Sequence, residues 1–170
     1  MAISIKQGNL LDASENIIVH QVNCQGVMDA GVARQIKEKW PNVYEHYIRM
    51  VKTFYKFSIP REKLLGEVCW DIVQEGIRDG EHDKWIASIF GQLDYNKKGE
   101  NKCQTDYDAL KKGFITIANN ASWFDDSVAM PYMIGCGRGG GDRRKVLEII
   151  HEVFDPLENV NVVLYESFEH

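Results

Sequence analysis

Short apolar runs alternate with helical stripes along almost the whole chain, and that alternation leaves few folds open. Strand-like runs fall at Ala2 to Lys6, Ile17 to Val22, Gly66 to Val73, Lys84 to Phe90, Ser127 to Met130 and Val160 to Tyr165. Between them, Val32, Ala33, Ile36 and Lys37 form a helical stripe that stops before Pro41, and Tyr44, Tyr47, Ile48 and Val51 form a second. Asp106 to Ala118 and Arg143 to Phe154 supply two more, with Thr105 and Asp108 spaced as a capping box and Asp142 placed to cap the last helix. Several of the runs are too apolar for edge strands. The pattern predicts an α/β fold: a mixed, largely buried sheet with helices on both faces.

At 170 residues the chain has the size of one globular domain able to bury a core without disulfides or metals, so a single domain over 1–170 is expected. No apolar run approaches the roughly 18–20 residues of a membrane span, and Met1 to Lys6 lacks the features of a signal peptide; a cytoplasmic protein with no membrane partner is expected. The net charge of -5 argues against general nucleic-acid binding, which draws on an extended basic face. It does not forbid a small anionic ligand, because charges on the far surface are screened over about 8–10 Å. Cys24, Cys69, Cys103 and Cys136 are widely scattered and read as free thiols; no metal-ligand set and no cofactor motif is apparent.

Val128 to Ile134 leads into Gly135-Cys136-Gly137-Arg138-Gly139-Gly140-Gly141-Asp142 and then into a helix. Strand, glycine loop and helix start together make an anion site: glycines let backbone approach closely, and N–H groups at the helix start carry partial positive charge. Five of the 14 glycines fall in this loop, a density that favours a ligand cradle over a plain turn. Gly135, Gly137 and Gly140 also satisfy the dinucleotide fingerprint, with Glu158 near the place of its ribose-binding acid. That rival fails on position, because the 30 residues after Gly140 cannot hold the strands and helices a Rossmann site needs downstream.

His20 to Ala33 is a second unit of the same kind, a buried strand passing into a polar loop punctuated by Gly26 and Gly31 and then a helix. Both loops leave the carboxyl ends of strands, where open α/β sheets bind ligands, so they can enclose one pocket. Asn23 reads as a ligand contact or a turn residue, and His20 as a functional or a satisfied core histidine.

Gly8-Asn9-Leu10-Leu11 after the first strand, the Asn23 to Ala33 loop, and Ile134 to Gly137 with Asp142-Arg143 resemble the macrodomain family in order and spacing, from about Ile5 to Tyr165. The resemblance is strongest to ADP-ribose-1''-phosphate phosphatases and terminal ADP-ribose protein glycohydrolases. It implies a three-layer α/β/α fold with a central mixed sheet and a pocket for ADP-ribose or a derivative, including ADP-ribose carried on macromolecules. It puts Asn9 and Leu10 at the adenine, where the family more often has Asp and Ile, with Tyr165 as an adenine platform. It puts Asn23 at the distal ribose, and Gly31, Val32 and the stretch Ile134, Gly135, Cys136, Gly137, Arg138, Gly139 and Gly140 around the phosphates.

The glycohydrolase branch uses a lysine just after the strand equivalent to Ile86 to Phe90, and an acid before the last helix. This chain has Gln92 at the lysine position, which has no nucleophilic amine. Lys97 and Lys98 could substitute only if their loop folds back. Asp142 matches the acid and His20 a histidine of the phosphatase branch, and together they suggest water activation. Asp142 also suits a helix N-cap, and the two roles can coexist. The expected activity is therefore removal of the terminal phosphate of ADP-ribose-1''-phosphate, with Asp142 and His20 catalytic. Two other readings fit the same residues: a non-catalytic ADP-ribose reader, and a lysine-independent hydrolase of ADP-ribosyl or O-acetyl-ADP-ribose bonds.

Overall fold

A computed structural model describes residues 2–168. Six strands form one sheet: β1 (Ala2–Gln7), β2 (Ile17–Asn23), β3 (Val68–Gln74), β4 (Lys84–Gln92), β5 (Val128–Pro131) and β6 (Asn161–Glu166). Their order is β1-β6-β5-β2-β4-β3, parallel throughout except for β3, which runs antiparallel to β4 at one edge. The helices are α1 (Gly31–Lys39), α2 (Pro41–Lys56), α3 (Tyr107–Phe124) and α4 (Arg143–Phe154). No helix among the described residues is long and apolar enough to cross a membrane.

Helices cover both faces, so the central strands are buried on both sides and read as continuous apolar runs. Along β2, Ile17 and Val19 face the cluster built with α3 and α4, while Ile18 and Val22 face α1 and α2. The same alternation sends Gln21 to the α3 side and His20 to the α2 side. Phe114 and Phe154 meet edge to face, centroids 6.0 Å apart, and tie α3 to α4.

The chain path creates the site. After β2 the chain passes through α1 and α2 toward β3 and β4; after β5 it passes through α4 to β6 on the other side. β2 and β5 are neighbours, so the connections that leave their carboxyl ends diverge and open a crevice between them.

The strand and helix expectations fit closely, but the capping box does not form. Asp106, not Thr105, caps α3 by accepting from the Ala109 N–H. Thr105 turns inward, and its hydroxyl donates to the Gly135 carbonyl at 2.6 Å.

Gly113 marks where α3 presses on β4: a Cβ there would lie 2.4 Å from Ile89 Cγ2. Gly113→Ala should lower the urea midpoint, by about 1–3 kcal/mol of stability, without changing the denaturant slope. A gain in stability, as a simple helix-propensity argument predicts, would show that α3 is free to move away.

Candidate functional site

Three loops at the carboxyl ends of β2, β4 and β5 enclose a cavity of about 670 Å³. Its wall comes from His20 to Ala33, from Gln92 to Lys98, and from Pro131 to Gly139. This is the size of a pocket for a nucleotide-like ligand.

The first wall is the start of α1. Ala30, its N-cap residue, makes no side-chain cap, and no acidic residue stands in the first turn. The N–H groups of the first turn therefore lack a side-chain acceptor and carry the positive end of the helix dipole, a site for an anion such as phosphate. Gly31 enters the helix at φ +58°, with open space where its Cβ would be. Asn23 shapes the preceding loop. Its side-chain oxygen accepts from Gln25 N–H at 2.9 Å and Tyr47 O–H at 2.8 Å, and its amide donates to the Val27 carbonyl at 2.8 Å. One amide hydrogen of Asn23 is left for a ligand.

The second wall is the glycine loop, whose glycines divide by role. A Cβ on Gly139 or Gly140 would lie 2.7 Å from Thr105 Oγ1 or 2.5 Å from the Lys102 carbonyl, so these two let the 102–105 segment pack against the loop, while Gly141 lets the loop close on its own Gly135 carbonyl at 2.6 Å. Around Gly137 there is open space, on the cavity side. Arg138 follows it in the lining.

The third wall is the segment after β4. Asn96 donates through its amide to the carbonyls of Lys102 (2.7 Å) and Arg138 (3.1 Å), and accepts from the Lys102 N–H at 3.2 Å. That stitching folds the loop back over the glycine loop and brings Tyr95, Lys97 and Lys98 to the cavity.

Beneath the cavity the loops share one chain of hydrogen bonds. Gln21 Nε2 donates to Gln92 Oε1 at 2.7 Å and to Thr105 Oγ1 at 2.9 Å, and Thr105 donates on to Gly135. Gln92 is thus a strut of the floor, its own amide donating to the Asp94 carbonyl. Two lining residues carry buried atoms without a hydrogen-bond partner, His20 Nδ1 and Gln21 Oε1. Buried polar atoms of this kind cost stability until something pairs with them.

The residues expected at the ligand thus separate. His20, Asn23, Gly31, Val32, Ile134, Gly135, Gly137, Arg138 and Gly139 line the cavity. Asn9, Leu10, Cys136, Gly140, Asp142 and Tyr165 lie outside its lining. Asn9 accepts from the Leu11 N–H at the start of a short 3-10 turn, Leu10 is buried, and Tyr165 is 6% exposed in the core with its hydroxyl donating to Glu15 at 2.5 Å. Asp142 caps α4 by accepting from the Arg144 N–H at 2.9 Å. His20 is 1% exposed, its Nε2 2.7 Å from Ser88 Oγ, and burial pushes its pKa down to about 3. An imidazole held that low is neutral and a weak base near pH 7, so the water-activating role expected of His20 does not suit its surroundings. Asp29, Tyr95 and Asn96 reach the cavity without any local signal that marked them; the loop-back of Lys97 and Lys98 depends on the Asn96 contacts.

No protein-family model matches the chain. Among curated proteins it is 27% identical to the DNA ADP-ribosyl glycohydrolase of Mycobacterium tuberculosis over 164 residues, and 24% identical to the protein of the same name from Thermus aquaticus. The matches cover 96% of this chain but 42% and 41% of those proteins, so the chain spans about two fifths of the length of the curated relatives it matches. Among solved structures, the macrodomain of Mycobacterium tuberculosis DarG superposes with a TM-score of 0.72 at 25% identity, covering 96% of this chain and 97% of that one. The macrodomain of Thermus aquaticus DarG gives 0.73 at 23% identity over 97% and 98%. Thermosipho africanus DarTG in complex with ADP-ribose gives 0.73 at 20% identity, over 99% of this chain and 42% of that one.

Because His20 has its pKa depressed from 6.5 to about 3 by burial, the unfolded chain takes up a proton in that window that the folded chain refuses. Stability should therefore fall as pH drops below about 6.5. In urea unfolding between pH 7 and pH 4, His20→Gln should show a shallower decline than the wild type; equal slopes would mean that His20 is not its source.

Proposed function

The chain has the macrodomain fold, and from that premise we propose that its cavity binds the ADP-ribosyl group and hydrolyses a bond at the distal ribose. The observation that carries the reading is the composition of the cavity wall: a helix start without a side-chain cap and the open side of a glycine loop, with Lys97, Lys98 and Arg138 alongside. Backbone N–H groups from both walls suit a diphosphate, and each charge-assisted hydrogen bond contributes about 1.5–3 kcal/mol.

The preferred substrate is an ADP-ribosyl group attached to a larger molecule, the class named in the curated relatives. Lys97 and Lys98 support this over the phosphatase reading. They bring amines to the cavity, able to act as cations or, deprotonated, as nucleophiles. Asp142, on which phosphate removal was to depend, is engaged as a helix cap outside the lining. Removal of a terminal phosphate remains the second reading, favoured by the three cationic side chains that could hold an extra phosphate.

Turnover of ADP-ribosylated DNA, ADP-ribosylated protein and ADP-ribose-1''-phosphate should be followed by mass spectrometry for the wild type, Lys97→Ala, Lys98→Ala and Asp142→Ala. One of the two lysine variants should lose about 10²–10⁴ in rate on an ADP-ribosylated macromolecule, while Asp142→Ala stays within a few-fold and loses about 1 kcal/mol of stability through its cap. Turnover of the phosphate ester alone selects the second reading. Tight ADP-ribose binding without turnover of any substrate leaves a reader and overturns the enzymatic proposal.

Asn96→Ala should release the loop that carries the lysines. ADP-ribose affinity measured by calorimetry should weaken while the thermal midpoint changes little, since the bonds lost are at the surface; unchanged affinity would place the ligand away from this wall.

A further inference from the structure

Outside the cavity lining, where α2 packs on the edge strand β3, three side chains of different chemistry converge. His46 Nδ1 lies 2.9 Å from Asp71 Oδ1 and 3.2 Å from Cys69 Sγ, and Cys69 Sγ lies 3.6 Å from Asp71 Oδ2. Cys69 and Asp71 are two apart on one strand, so both point to the α2 face, and they are 1% and 8% exposed. The His46 side chain is 36% exposed and opens the group to solvent.

We propose that His46, Cys69 and Asp71 form a binding site for a divalent, borderline-soft transition metal such as Zn²⁺. With metal–ligand distances of about 2.0–2.3 Å, a tetrahedral ion holds its donors roughly 3.4–3.6 Å apart. The separations, taken to Asp71 Oδ1 from His46 and to Oδ2 from Cys69, fall within about half an ångström of that spacing, and one ligand atom from each residue can be chosen with all three within 4.8 Å of one another. Nitrogen, sulfur and carboxylate oxygen together are a zinc-type set, whereas Mg²⁺ and Ca²⁺ take oxygen donors. Three protein ligands leave a fourth position for water, reached past the half-exposed imidazole.

Electrostatics favours an occupant. A thiol and a carboxyl buried side by side both resist ionising: burial pushes the Cys69 thiol and the Asp71 carboxyl up, and Arg49 on the same helix offsets this only in part. A divalent cation takes the place of the protons, and its two charges balance thiolate and carboxylate. The sheet register adds a link to the cavity. Cys69 pairs with Ser88, and Ser88 pairs with His20, whose ring it touches at 2.7 Å, so a polar row runs from this group to the cavity floor.

Co²⁺ added to the reduced, full-length chain provides the test. One equivalent should bind and produce a sulfur-to-cobalt charge-transfer band with the visible bands of a tetrahedral ion. The bands should disappear in Cys69→Ser and persist in Cys103→Ser, which alters the exposed thiol. If Cys69→Ser does not fold, His46→Gln at the half-exposed position gives the same reading. Zn²⁺ should also raise the thermal midpoint of the wild type but not of His46→Gln. Absence of the charge-transfer band, or its survival in both Cys69→Ser and His46→Gln, overturns the proposal. The readout is independent of any turnover in the cavity.

Discussion

The cavity keeps its shape because three loops are joined through two side chains, Gln21 and Thr105. Gln21 reaches Gln92 and Thr105, and Thr105 reaches the carbonyl of Gly135. Gln21 lies near the end of β2, Gln92 and Thr105 flank the loop between β4 and α3, and Gly135 lies in the loop after β5, so these bonds tie the three connections together. The backbone reinforces the join, with the Gln104 and Thr105 N–H groups donating to the Gly139 carbonyl. This arrangement demands glycine at 139 and 140, since side chains there would displace the segment that covers them. A motif that looked like a phosphate cradle is thus partly a docking surface for the protein's own chain.

That division clarifies how binding and chemistry can be separated. In the proposed function, anion binding would rest on backbone groups fixed by secondary structure, the start of α1 and the open side of Gly137, which need no titratable residue. In the proposed reaction, chemistry would rest on side chains delivered by a loop, Lys97 and Lys98, whose course Asn96 fixes. The buried His20 stays neutral beneath both, contributing an unpartnered nitrogen rather than a charge. Altering the loop would therefore weaken binding without removing the backbone anion site, while turnover would depend on the loop outright.

The polar row from His20 through Ser88 to Cys69 crosses β2, β4 and β3 at one register position. Polar groups buried in line on adjacent strands are costly unless each has a partner. Here His20 Nε2 pairs with Ser88 and Cys69 with His46, only His20 Nδ1 in the row is left without a partner, and the row ends at His46, which opens to solvent.

Periodicity alone placed the six strands and four helices, because a strand buried on both faces and an amphipathic helix leave different spacings in the sequence. It also placed the glycine loop and the Asn23 loop at the carboxyl edge of one sheet, since that follows from strand, loop and helix in order. What it could not decide were contacts between residues distant in sequence. Thr105 had the spacing of a capping residue, yet the pull of Gly135 thirty residues on turned it inward and left Asp106 to cap. Asp142 and Tyr165 had the right order for a site, and only the fold shows Asp142 capping α4 and Tyr165 packed in the core. Lys97 and Lys98 lay in a stretch with no pattern, and only the folding of Asn96 onto Lys102 and Arg138 brought them to the cavity. The sequence by itself determined the layers and the edge where the proposed ligand would bind, because local spacing encodes which face of each element is buried. The tertiary structure decided which side chains face that ligand, because loops take their course from long-range hydrogen bonds that no local pattern carries.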